Sequence, residues 1–179
     1  MSRLRFTFLL LAVMLGLSVA GAAHAGNPAT ITVTVTIQNL SVSTSGAIAF
    51  GTVVSGSSSV SGSASTVTND GNVTETYSLS LTNPASWTAD QAAPAVAEHY
   101  ALLAEYNSSA PAANTFSYAN HALSTSSVAS SGTKFAGDET GLSVAVSGVR
   151  HLWFRFDAPT STAVTTQQSI TVTVTASAG

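Results

Sequence analysis

Apolar and hydroxyl-bearing residues alternate one for one over long stretches of this chain. Thr30-Ile31-Thr32-Val33-Thr34-Val35-Thr36-Ile37 is a strict alternation, so Ile31, Val33, Val35 and Ile37 share one face of an extended strand. Ser169 to Ala176 repeats the pattern near the C-terminus, and the six-residue string ITVTVT occurs at both ends of the domain. A composition rich in Thr and Val accounts for that coincidence, and nothing else in the two halves matches.

Between these ends, apolar runs recur at strand spacing: Ala47 to Phe50, Thr52 to Val54, and Thr66 to Thr68. Asn69-Asp70-Gly71-Asn72 follows, and its Asp-Gly pair reads as a tight hairpin turn returning into Thr76 to Leu81. Tyr77, Leu79 and Leu81 then fall on one face, Thr76, Ser78 and Ser80 on the other. Pro94 to Leu103 fits a helix opened by proline, with Val96, Tyr100 and Leu103 on one side. The alternation of Tyr100, Leu102, Ala104 and Tyr106 favours a strand over that helix.

Residues 111–143, rich in Ser, Ala, Thr, Asn and Gly, read as a long excursion with short pieces of structure. Order resumes at Leu142 to Val146 and again at His151 to Phe156, where Leu152, Phe154 and Phe156 point one way and His151, Trp153 and Arg155 the other. The count of about eight to ten short strands without a firm helix predicts an all-β fold, a single-domain antiparallel β-sandwich or jelly roll. Edge strands are usually blunted by charge or proline, yet both terminal strands here carry neither. Both are therefore expected to be paired.

The pattern changes character before residue 26. Arg3 and Arg5, the apolar run Phe6 to Ala20 and the small-residue site Ala23-His24-Ala25 predict a cleavable signal peptide over residues 1–25. The domain then spans residues 26–179, and the chain is expected to be secreted or displayed at the cell surface, a periplasmic location being the alternative, with no membrane span once the leader is gone. With no cysteine in the chain, its stability rests on apolar burial and sheet hydrogen bonding rather than disulfides. Beyond the leader, Lys134, Arg150 and Arg155 face eight acids, a net charge of −5 with histidine neutral, which disfavours nucleic acid as a partner.

Candidate chemistry is sparse. No Gly-x-Ser-x-Gly elbow accompanies His99, His121 and His151, and Glu98, Glu105, Asp138, Glu139 and Asp157 are scattered among strand ends and loops. Asn69, Asp70 and Asn72, or Asp138 and Glu139, offer oxygen atoms but not the ligand spacing of an EF-hand, and turn formation explains the first group. The sequence thus predicts no catalytic residue, cofactor or metal, and no enzyme. Trp153, outward beside Arg155, is the candidate ligand contact, since amphipathic aromatics serve as stacking platforms for sugars.

Taken in order, the leader, the early free-standing strand, Val67-Thr68-Asn69-Asp70-Gly71 leading into Tyr77-Ser78-Leu79-Ser80-Leu81, and the closing Leu152 to Phe156 and Ile170 to Ala176 resemble prokaryotic secreted surface-fibre subunits. The nearest group is the biofilm-matrix fibre family of TasA and camelysin, with archaeal bundling pili. The resemblance implies a jelly roll that polymerises by donor-strand complementation, the N-terminal strand of one subunit completing the sheet of its neighbour. The chain departs from that family in its few charged residues and its ordinary Ala-x-Ala cleavage site. The expected function is an extracellular structural subunit of a fibre, pilus or surface coat, its partners further copies of itself and its assembly strand Ile31, Val33, Val35 and Ile37. The alternative is a secreted binding or adhesion module whose loops around residues 107–141 and Trp153 meet a cell-surface glycan or protein.

Overall fold

The computed structural model describes residues 29–179; the expected leader, residues 1–25, lies outside the described residues. The chain divides into two compact units, one ending at Thr36 and one spanning Ile37–Gly179. Within the first unit, residues 29–36 are exposed throughout and belong to no ladder.

The second unit is a β-sandwich. Its strands are β1 (Val42–Thr44), β2 (Ser58–Val60), β3 (Ser65–Asn69), β4 (Glu75–Thr82), β5 (Thr88–Ala89), β6 (His99–Tyr106), β7 (Val128–Ala129), β8 (Val149–Asp157) and β9 (Thr171–Ala178), with a single helical turn, α1 (Tyr118–His121), before β7. One sheet runs β1-β3-β8-β6-β5, and β2 pairs with the far end of β8; the other runs β7-β4-β9. All pairings are antiparallel except β5 with β6.

The core follows from the alternations in the sequence. Tyr77, Leu79 and Leu81 of β4 are buried against Val67, Leu102, Ala104, Tyr106, Leu152, Phe154 and Phe156 of the larger sheet. At one end of this core Trp87 stacks on Phe156 at 5.9 Å between ring centroids, with Tyr100 5.8 Å and Phe50 5.6 Å from the same ring. Strand β6 is buried on both faces. Its Ala101 and Leu103 meet Phe116 and Ala122, with Trp153 packed alongside, so the excursion after β6 covers the outer side of the sheet.

The expected strand over residues 100–106 is present, not the helix, and Leu152, Phe154 and Phe156 point inward as the alternation requires. Three other expectations fail. The Asn-Asp-Gly-Asn turn closes no hairpin: β3 pairs with β1 and β8, β4 with β7 and β9, so the turn is a corner passing between sheets. Asn69 shapes it, its Oδ1 accepting the Gly71 N–H and its Nδ2 donating to the carbonyls of Val73 and Val144, each at 2.9 Å. Ala47 to Phe50 and Thr52 to Val54 are not strands, because Gly46 and Gly51 take φ of 77° and 66° and turn the chain, though Ile48, Phe50 and Val53 still pack on the core. Leu142 to Val146 is likewise irregular, interrupted at Ser143 and followed by Ser147, at φ of 50° and 60°, and only Val144 bridges to Glu75.

The expected pairing of both terminal strands holds for one of them. Strand β9 lies along β4 from Glu75↔Ala178 to Thr82↔Thr171. Residues 30–37 have no ladder partner among the described residues.

Candidate functional site

The geometry that bears on function begins where the second unit begins. Asn72 holds Ile37 and Asn39 with both ends of its amide: Nδ2 donates to Ile37 O and Oδ1 accepts the Asn39 N–H, each at 2.8 Å. The Asn72 N–H returns to Asn39 O at 3.1 Å, and the Asp70 N–H donates to Ser41 O at 2.8 Å. Ser41 N–H donates to Glu75 Oε1 at 2.7 Å. Residues 37–41 are thereby clamped to the corner between β3 and β4 by five hydrogen bonds. Glu75 is wholly buried, in phase with Tyr77, Leu79 and Leu81 on the inward face of β4.

The candidate assembly residues come immediately before this clamp. Ile31 is 89% exposed, Val33 and Val35 80% each, and Ile37 78%. Four β-branched apolar side chains in solvent are a costly arrangement, since burial of each is worth about 1.5–3 kcal/mol. No charge occurs from Ala29 to Ser41.

The second feature is the outer side of β9. Among the described residues β9 pairs with β4 alone. Val172, Val174 and Ala176 stand opposite Leu81, Leu79 and Tyr77, so they point into the sandwich. Their partners on β4 are buried, whereas these three are only half-buried. The loss of cover across one strand spacing marks a thinly covered flank, approached from the other sheet by β1. Thr171, Thr173, Thr175 and Ser177 are exposed on the opposite face, continuing the hydroxyl surface of Thr76, Ser78 and Ser80.

Trp153 is half-buried on the outer face of the larger sheet, its indole N–H donating to Asn107 O at 2.9 Å. Beside it Arg155 grips Asp157 through Nε and Nη2 at 2.8 and 3.0 Å, and Tyr118 Oη donates to the same carboxylate at 2.6 Å. Burial, reinforced by that carboxylate, pushes the Tyr118 hydroxyl up to about 12. Tyr118, Arg155 and Asp157, but not Trp153, line a shallow depression with Gly56, Ser57 and Thr160.

The three histidines among the described residues lie apart, each beside a different carboxylate: His99 by Asp90 at 3.0 Å, His121 by Glu105 at 3.7 Å and His151 by Glu139 at 3.2 Å. Among the described residues no three His, Cys, Asp or Glu side chains gather to hold a metal. No helix there is long and apolar enough to cross a membrane.

The sequence singled out the apolar residues of 31–37 but missed both the clamp and the thinly covered flank. Glu75 was the available signal for the clamp, a charge in phase with three large inward residues. Nothing local marked β9 as an edge, because its sequence resembles that of a strand paired on both sides. Comparisons with family models, curated proteins and solved structures find no match.

Proposed function

We propose that the chain is a structural subunit of an extracellular fibre, pilus or surface coat, and that subunits join through residues 30–37. The carrying observation is the exposure of Ile31, Val33, Val35 and Ile37 on an uncharged segment whose root is clamped at Ile37 and Asn39. Such a segment gains apolar burial and ladder hydrogen bonds together when it joins a sheet, which is how strand addition links one chain to another. The leader expected over residues 1–25 would export the subunit before that contact forms.

The test uses the chain from residue 26 onward, examined by electron microscopy and sedimentation over a range of concentrations. The unaltered chain should polymerise. The double variant Val33→Asp, Val35→Asp should remain monomeric, because strand addition would then bury two carboxylates. Its unfolding free energy should lie within about 0.5 kcal/mol of the parent, as expected of exposed positions. An unaltered chain that stays monomeric at every concentration would remove the proposal.

A further inference from the structure

We infer that the receiving surface for residues 30–37 is the free edge of β9 on a second copy of the chain. This inference rests on the assembly reading above and adds to it the place where the strand lands.

The edges of the two sheets differ in what they offer. The larger sheet ends in β1 and β2, three residues long each, and β5, two residues long; the smaller ends in β7, two residues long, and β9, eight residues long. A segment alternating over residues 30–37 needs a template of about its own length, and among the described residues only β9 provides one. The chemistry agrees. Thr171 to Ala178 contains no charged residue and no proline, the devices that ordinarily keep an edge from pairing.

The flank beyond β9 is also where apolar cover is thin. Val172, Val174 and Ala176 are half-buried beside fully buried partners, and Val42, Ile48, Phe50 and Val53 are likewise half-buried against the same core. A strand laid along β9 with Ile31, Val33, Val35 and Ile37 turned inward would extend the three-stranded sheet to four. Its threonines would then face outward, in line with Thr173 and Thr175.

The absence of cysteine makes the contact readable by disulfide trapping. Singly substituted chains carrying Thr34→Cys would be mixed with chains carrying Thr173→Cys or Thr175→Cys, oxidised, and resolved by non-reducing electrophoresis and mass spectrometry. Partner chains with Ser43→Cys, Ser58→Cys, Thr88→Cys or Ala129→Cys report on the edge strands β1, β2, β5 and β7.

The expected result is a mixed disulfide between position 34 of one chain and 173 or 175 of another, several-fold above that to any other edge. Polymers that trap position 34 mainly at 43, 58, 88 or 129 would overturn the β9 assignment and leave strand-mediated assembly standing. A Thr34→Cys, Thr173→Cys double variant that closes within a single chain would overturn the second copy as occupant. Chains that form no polymer at all would defeat the assembly reading, and this inference with it.

Discussion

A side chain at position 71 has nowhere to go. A Cβ built on Gly71 would lie 2.6 Å from Asn39 O and would also strike Glu75 Oε1, the two acceptors that hold residues 39 and 41. Gly71→Ala should therefore destabilise the fold by about 1–3 kcal/mol, the usual cost of overpacking, measured by urea denaturation. A loss smaller than that of a typical surface substitution would mean the corner relaxes without strain. The packing around Gly71 was not legible in the sequence, which offered the Asp-Gly pair as a turn former. Glu75 was legible only as an anomaly, a carboxylate where the alternation calls for an apolar residue.

His121 carries a second residue-scale prediction. Its Nδ1 accepts the Ser117 N–H at 3.1 Å, so the proton of the neutral ring sits on Nε2, and burial holds its pKa below the ordinary value despite the nearby Glu105 carboxylate. In the unfolded chain the ring titrates near about 6.5. As pH falls below that value the unfolded state takes up a proton that the folded state refuses, so this contribution to stability, complete above the unfolded pKa, declines towards the lower folded pKa. Unfolding free energy followed from pH 7.5 downward should fall more steeply in the parent than in His121→Gln. Identical slopes would show that the ring protonates as readily folded as unfolded.

At the scale of elements, what could be read was the inward face of each strand. Leu152, Phe154 and Phe156, and Tyr77, Leu79 and Leu81, are buried as a period of two demands. What could not be read was who pairs with whom. Thr66 to Thr68 and Thr76 to Leu81 flank a turn sequence that is equally suited to a hairpin and to a corner, and the choice fell to contacts distant in sequence: β8 and β1 on one side, β9 and β7 on the other. The double burial of β6 was hidden for a similar reason. Ala101 and Leu103 are covered by Phe116 and Ala122, which the sequence places in an apparently loose excursion. Residues 30–37 were the reverse case, since lack of charge and strict alternation predicted an extended face but also predicted a partner.

For the whole molecule, the proposed contact joins two uncharged surfaces on a body carrying a net charge of −5 beyond residue 25. Added salt has no ion pair to weaken there and screens the repulsion between bodies. Raising sodium chloride from about 0.1 to 1 M, which shortens the screening length from about 10 to 3 Å, should leave polymerisation intact or strengthen it, as followed by light scattering. Dissolution of the polymer by salt would point instead to charged contacts between subunits.

The clamp at residues 37–41 also decides how such a polymer bears tension. Pull applied through residues 30–37 reaches the folded body first at Asn72 and then, through Ser41, at Glu75. These two residues bracket the start of β4, and the same corner continues backward into β3. Load passed on along the axis of β4 would meet the β9 ladder lengthwise, as shear, across the pairs from Glu75↔Ala178 to Thr82↔Thr171. A ladder loaded in shear must lose many hydrogen bonds at once, whereas one that is peeled loses them singly. The clamp would therefore make the subunit mechanically stiff at the point where the fibre pulls on it.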